Sequence, residues 1–510
     1  MNKLRVVSAG LKVGMLGLMF GVGAQALAME LDWSGQFRSE LNVVHNYSLD
    51  NTGAGESFDP GRAAGNGYYT PSGGQRTAHF QTLFMKLRPK LVVNDNVYIK
   101  SEWWVGDPIY GVFGNGVPYS TDQRRWNSTF NRGAPITAQR FWGEFLSEFG
   151  TVQVGRAPLN WGLGVVWNSG DGMWDRYAST GDTIRLISKF GAFTFIPSFV
   201  SYSAGNTIGG ACSIVGGVCV PAQGTSGVSE YTMAFRYENQ DEDFDGGVNL
   251  VRRIAGIEQD RVSGLAGPEN TAGAMHFNTW DIYGKKRLGK FTLSGEFPIT
   301  SGNLNGPEYS TFAVFGNLDW KMSDSWESFV KVGHAPGQPN GDTTALTQFK
   351  AFYFHPNIHP AMIMFNYQLA NFAGINTQNN PGVGAPSLAS PYDNPIVNAN
   401  FINVGAAAHV DKWGFKLGWT YAKALETAST GKYFYNTRLR QMVGPAVKDQ
   451  ENGLGWEADY TTSYQWDEAF QFSWDLGVYS PGGYYKFSNT AVDNATSMVY
   501  ASSFRLGVSF

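Results

Sequence analysis

Counting back from the C-terminus in steps of two gives Phe510, Val508, Leu506, Phe504, Ser502 and Tyr500. The other parity gives Ser509, Gly507, Arg505, Ser503 and Ala501. A β-strand sends successive side chains to opposite faces, so this segment has one apolar face and one that is small, polar or cationic. The same alternation recurs along the chain. Tyr231, Met233, Phe235 and Tyr237 alternate with Thr232, Ala234 and Arg236, and Phe470, Phe472, Trp474, Leu476 and Val478 alternate with Gln471, Ser473 and Asp475. The pattern predicts about 20 strands. They lie near 31–44, 78–91, 96–106, 138–147, 151–162, 182–190, 192–202, 229–238, 245–254, 276–287, 291–301, 309–321, 326–334, 347–355, 361–371, 400–410, 414–424, 453–465, 470–480 and 498–510. Residues 361–369, "AMIMFNYQL", are weaker because Met362 and Met364 fall on the polar parity. Strands near 151–162 and 347–355 are poorly patterned, which leaves about 18 as the alternative count.

The connections alternate in length. Short ones carry turn residues, as at Asn94-Asp95-Asn96, Glu148-Phe149-Gly150, Leu288-Gly289-Lys290 and Asp411-Lys412. Between them run long Gly-, Asn- and Pro-rich segments, 45–77, 106–137, 203–228, 372–399 and 425–452. Short turns at one end, long loops at the other and strands of ~10 residues between them are the pattern of a transmembrane β-barrel. The predicted fold is therefore all-β: one closed antiparallel barrel in which the last strand pairs with the first and no edge is left.

Composition agrees. Aromatic residues make up 15% of the 510, Gly is frequent at 63, and only 16% is charged, yet mean hydropathy is −0.24. No apolar run approaches the ~18 residues of a helical span, so any membrane insertion must be by strands. The first 28 residues read as a signal peptide: Lys3, Arg5 and Lys12 precede the apolar run Val13–Ala24, and Ala26-Leu27-Ala28 is an A-x-A site. This divides the chain into a signal peptide, 1–28, and a barrel, 29–510. Removing those three cations leaves 35 Lys+Arg against 42 Asp+Glu, a charge of −7 that argues against a nucleic-acid partner. Cys212 and Cys219 share one Gly-rich stretch, and in an exported chain they read as a local disulfide.

Tyr500, Phe504, Leu506, Val508 and Phe510, with Ser502 as a mild departure, resemble the C-terminal signature of Gram-negative outer-membrane β-barrel proteins. The resemblance implies a cell outer membrane location, contact with lipopolysaccharide, recognition by the barrel-assembly machinery and a porin-like activity. Trimers are typical of general porins, but no residue here marks a subunit interface. A weaker likeness to alginate-export barrels rests on the mixed lumenal charges alone.

With the apolar parity facing lipid, the other parity faces the lumen. Its basic set is Arg38, Lys86, Arg88, Lys100, Arg140, Arg185, Lys189 and Arg236, followed by Lys285, Lys321, Lys331 and Lys416. Its acidic set is Glu40, Glu102, Glu144, Asp281, Glu296, Asp319, Glu327, Glu457, Asp459 and Asp475. The basic residues weight the first half and the acidic ones the second, so two walls of opposite charge across the pore are one expectation. Ion pairs that only hold the wall together are the other, since buried charges must pair. A barrel of about 20 strands is too wide for strand side chains to fill. The third long loop, Leu159 to Asp182, is the candidate constriction, with Trp161, Trp167, Asp171, Trp174, Asp175 and Arg176 on a Gly-rich backbone. In trimeric porins the loop of that ordinal position folds inward. The alternative is an exposed loop with its Trp residues at the outer girdle.

Other patterns carry less. Asp241-Glu242-Asp243-Phe244-Asp245-Gly246 matches the front of a calcium loop, but Arg252 stands where a bidentate Glu belongs. His355 and His359 are four apart, with Pro356 and Pro360 precluding a helix between them. No metal or cofactor is called for. No G-x-S-x-G, Walker or dinucleotide motif appears, which argues against an enzyme. The reading is a passive channel for small hydrophilic or charged solutes. A sugar or polysaccharide channel and a surface adhesin or structural barrel are the alternatives. Energised import is not expected, because no separate plug domain precedes Leu31.

Overall fold

In the computed structural model the described residues are 30–46, 77–106, 136–202, 212–215, 218–221, 228–255, 275–304, 306–367, 395–437, 441–489 and 496–510, with 49, 369, 491 and 493. The segment 1–28 and the greater part of the connections 45–77, 106–137, 203–228 and 372–399 lie outside them.

Eighteen strands form the wall, here β1 to β18: Glu30–His45, Thr77–Asn94, Val97–Val105, Ile136–Ser147, Gly150–Pro158, Thr180–Phe190, Phe193–Ser201, Ser229–Asn239, Phe244–Ala255, Met275–Leu288, Phe291–Leu304, Glu308–Lys321, Trp326–Ala335, Ala399–Val410, Trp413–Lys423, Gly453–Gln465, Phe470–Pro481 and Val499–Ser509. β12 is Glu308–Phe312 and Val314–Lys321, interrupted at Ala313, with both halves on β11. Each strand pairs antiparallel with the next, and β18 pairs with β1 from Gln36↔Ser509 to His45↔Tyr500. The ring is closed.

The alternation that predicted the strands also fixes which way they face. Trp33, Phe141, Ile184, Tyr231, Phe235, Trp280, Leu318, Leu417, Trp474 and Phe504 are exposed on the outside. Arg38, Glu40, Lys86, Glu102, Arg140, Asp281, Glu296 and Glu457 are buried. Apolar outside and charged inside inverts a water-soluble protein and suits a wall bathed in lipid.

Two predicted strands are absent from the wall, so the count is 18 and not 20. In 347–355 only Gln348–Phe349 pairs, in parallel with Glu308–Tyr309. Residues 361–367 run as bends and turns, while Ile363, Met364 and Phe365 are fully or almost fully buried. Both segments belong to the connection between β13 and β14. The poorly patterned 151–162 is a strand only over Gly150–Pro158.

At the seam Gly35 and Phe510 exchange backbone hydrogen bonds of 2.7 and 3.1 Å. The Phe510 ring lies on Gly35, where a Cβ would come within 2.5 Å of it. Gly35→Val is expected to displace the Phe510 ring and to press on the Lys86 carbonyl, at a cost of about 1–3 kcal/mol, and to lower the thermal midpoint of the barrel. A midpoint equal to the native one would show that the seam does not need this contact.

Candidate functional site

The connection from β5 to β6, residues 159–179, runs inside the barrel and is held from two sides. On β11, Glu296 accepts the backbone N–H of Leu163, of Val165 at 3.0 Å and of Val166 at 3.3 Å. Gly162 beside it has φ +54°, and a Cβ there would lie 2.5 Å from the Glu296 carboxylate, so a side chain would break the clasp. The Trp161 indole N–H donates to the Asp281 carbonyl at 3.1 Å.

The opposite side is a basic wall. Arg38 donates to the carbonyls of Met173 and Asp175, each at 2.7 Å. Lys86 donates to the Gly170 carbonyl, and Arg140 to that of Ser169. Arg88 and Arg140 both reach Asp171, at 2.8 and 3.2 Å, and both also pair with Glu102. Arg176 pairs with Glu40. Burial alone would raise the Asp171 carboxyl, but Ser169 and the two guanidinium groups outweigh it and hold it below the usual range. The basic residues of β1, β2 and β4 therefore hold the loop and one another's counterions.

The connection from β13 to β14 forms a second internal segment. On β16, Glu457 accepts the N–H of Ile363 at 2.5 Å and of Met364 at 2.6 Å, and Asp459 accepts that of Met362 at 3.3 Å. The Tyr367 hydroxyl donates to Asn42 of β1 at 3.0 Å. Phe352, Phe354, Ile363, Met364 and Phe365 pack with Phe401, Tyr479 and Tyr485 into one apolar core inside the barrel. The two internal segments meet. The His355 N–H donates to the Val165 carbonyl at 2.8 Å, and the Asn357 carboxamide bonds Tyr177 N–H at 3.0 Å, Tyr177 carbonyl at 2.8 Å and Asn168 at 3.1 Å.

Toward the short-turn end the lumen stays open. A cavity of about 1020 Å3 lies beneath Gly162 and Leu163, lined among others by Arg236, Asp245, Tyr283, Lys285 and Asp319. A smaller one of about 150 Å3 lies beneath His359–Met362, beside Lys416, Asp459, Asp475 and Arg505.

The remaining expected lumenal residues are placed as follows. Lys100 pairs with Glu144 at 2.8 Å, Arg185 donates to Gln153, and Arg236 pairs with Asp245 at 2.6 Å. Asp319 accepts from Asn317 at 2.6 Å, Lys331 lies over the Phe329 ring, and Asp475 faces Arg505 at 3.2 Å. Lys189 pairs with Thr194 in the same register as Arg185 with Ser198, so it keeps the expected parity, and it is exposed beside the β6–β7 turn. In the loop, Trp161 is buried, the Trp167 carbonyl accepts the Trp161 N–H, Asp175 caps Gly172, and Trp174 stacks beneath Arg505.

The alternation gave no sign of Asn357 or of what Glu457 binds. Asp241–Gly246 lies across the β8–β9 turn, where Asn239 accepts the N–H of Asp241 at 3.0 Å. Burial pushes His355 down to about 4; burial, with Arg176 and Arg505 adding to it, pushes His359 down to about 3. No set of three metal-ligating side chains occurs among the described residues. Cys212 and Cys219 lie on a two-stranded hairpin, Cys212–Val215 against Val218–Pro221, and their side chains are outside the described ones.

No protein-family model and no curated protein matches this sequence. Among solved structures it is similar to Pseudomonas aeruginosa OccK9 (OpdG), at 10% identity and a TM-score of 0.46 over 94% of this chain and 99% of that one. P. aeruginosa OccK2 (OpdF) in complex with glucuronate is similar at 7% identity and 0.46, over 94% and 98%. OmpT, an outer membrane protein of Vibrio cholerae, is similar at 7% identity and 0.35, over 96% and 100%.

Proposed function

We propose that this barrel is an outer-membrane channel through which small hydrophilic or charged solutes diffuse passively. One observation carries the reading: a closed wall with an apolar exterior encloses a charged lumen that opens into a cavity of about 1020 Å3 at the short-turn end. Nothing in a passive path needs a nucleophile or cofactor. On this reading the short turns are periplasmic and the internal segments form the constriction. Arg236, Lys285, Asp319, Lys331 and Lys416 meet the solute, while Arg38, Lys86, Arg88, Arg140, Asp281 and Glu296 position the loop.

The same reading includes removal of residues 1–28, a Cys212–Cys219 disulfide, contact with lipopolysaccharide and reading of Tyr500–Phe510 by the barrel-assembly machinery. Assembly into homo-trimers belongs to it as well, as the usual state of porins.

The test is single-channel conductance of the refolded mature protein in a planar bilayer. Stable steps in the native protein support the reading. A folded, heat-modifiable barrel without conductance would move it to a surface scaffold acting through its long connections. Deleting residues 168–179 should then enlarge the steps and shift selectivity toward anions, because Arg38, Lys86, Arg88 and Arg140 lose the carbonyls and the Asp171 carboxylate they hold. Unchanged steps in a folded deletion mutant would remove the loop from the solute path.

A further inference from the structure

On the lumenal face of β9 to β11 three buried oxygens have nothing to accept. Asp281 of β10 is fully buried, and neither of its carboxylate oxygens has a hydrogen-bond donor among the described residues. Asn249 stands directly opposite it on β9, 2% exposed, and its Oδ1 also lacks a donor. Residues opposite one another in an antiparallel ladder hold their Cβ atoms about 4.5–5.5 Å apart, so the two side chains share one space. Glu296 of β11, 1% exposed, brings a second carboxylate within hydrogen-bonding reach of Asp281. Two ionised carboxylates have no hydrogen to give each other. The Trp161 side chain covers this face, with its ring against Gly247 of β9 and its N–H on the Asp281 carbonyl.

No Lys, Arg or His lies within 4.0 Å of either carboxylate among the described residues. Glu40, Glu102 and Glu230, equally buried, each pair with an arginine. Three backbone N–H groups soften the charge of Glu296 and leave that of Asp281 untouched. A buried charge needs a partner or a metal. A water molecule would supply hydrogens but no charge. A shared proton would remove one charge and serve one Asp281 oxygen, leaving the other and Asn249 Oδ1 as they are. A hard divalent cation serves all of them and balances both charges, since calcium takes carboxylate and carboxamide oxygens at about 2.3–2.6 Å. The Glu457–Asp459 pair on β16 differs: only one of its oxygens lacks a donor, and Lys416 lines the same cavity as Asp459.

We propose that Asn249, Asp281 and Glu296 form a binding site for a divalent cation of calcium's kind, with both Asp281 oxygens, Asn249 Oδ1 and the Glu296 carboxylate as ligands. Its third arm is an amide, so it is not a set of three Asp, Glu, His or Cys side chains. Through Glu296 the ion ties three strands of the wall to the internal connection. The inference stands on the wall and does not depend on the channel reading.

Binding is measured by titration calorimetry on the folded mature barrel in detergent, refolded without lipopolysaccharide and stripped with EDTA, with calcium as the probe. The native protein should bind at least one calcium per chain, and its thermal midpoint should rise with the ion. Asp281→Asn should weaken binding roughly tenfold or more, the loss expected for a charged contact. The new amide can donate to Glu296, so that barrel should remain folded and heat-modifiable. Asn249→Asp keeps an oxygen at the site and adds a charge, so it should bind calcium at least as tightly as the native barrel. A native barrel that binds no calcium overturns the proposal and leaves the two carboxyl groups sharing a proton. So does native affinity in a folded Asp281→Asn barrel, which would place the ion elsewhere, as on the exposed acidic turn 241–243. Weaker binding by a folded Asn249→Asp barrel would show that the amide nitrogen faces Asp281, and would overturn it as well.

Discussion

Glu296→Ala should release one arm of the third long connection and raise the single-channel conductance. Three backbone N–H groups converge on this carboxylate. Leaving them without an acceptor costs about 1–3 kcal/mol for each that stays buried. Leu163 and Val166 are part-buried and recover some of this from water; Val165 is fully buried and does not. A net loss of about 3 kcal/mol shifts the docked population by roughly a hundredfold. The Trp161 indole, the His355 N–H on the Val165 carbonyl and the burial of Val165 in the apolar core stay in place, so the release is partial. Residues 169–176 remain on the basic wall, so the increase should be smaller than that produced by deleting 168–179. Acrylamide quenching of tryptophan fluorescence, with Trp161 as the residue that changes, gives a second readout. Native conductance together with native quenching would show that Glu296 does not hold the arm.

Glu457→Ala should behave differently, although Glu457 also accepts adjacent N–H groups on an internal segment. Here the segment carries Ile363, Met364 and Phe365 into the apolar core, each contributing about 1.5–3 kcal/mol by burial. That sum exceeds the about 2–6 kcal/mol lost by orphaning two buried N–H groups. The segment should therefore stay in place, with conductance near native, and the loss should appear as a marked fall in the thermal midpoint. A large rise in conductance without loss of stability would mean that hydrogen bonds rather than apolar burial hold the segment. The segments share Asn357 and the Val165 carbonyl, so the double substitution should depart from additivity.

The wall was legible because lipid on one side and polar lumen on the other impose a period of two on every strand that separates them. The same logic explains the two misplaced strands. Residues 361–367 separate nothing: Ile363, Met364 and Phe365 are enclosed on all sides, so consecutive positions are apolar and the parity blurs at Met362 and Met364. The strand at 150–158 was hard to read for another reason. Arg156, on the outer parity, pairs with exposed Asp182 on β6. Parity also told which charges point inward but not what they meet there. The inward turn of Arg38, Lys86 and Arg140 follows from alternation. Their engagement with carbonyls of a loop 29 to 135 residues away along the chain does not.

The seam between β1 and β18 has a consequence for how the molecule is built. The third connection touches both of its strands, through Arg38 and Glu40 on β1 and through Arg505 on β18, which covers Trp174. Tyr367 of the second internal segment reaches Asn42 on β1, 325 residues away. A cylinder whose last join grips its own contents cannot be sealed first and filled afterwards without breaking those grips. Winding the final strands around the two connections would form those grips as the ring closes, and contacts of such sequence separation are slow to form. A chain stalled just short of joining its ends would then be an open sheet already wrapped around its filling, with the unpaired edges of β1 and β18 exposed to any neighbour.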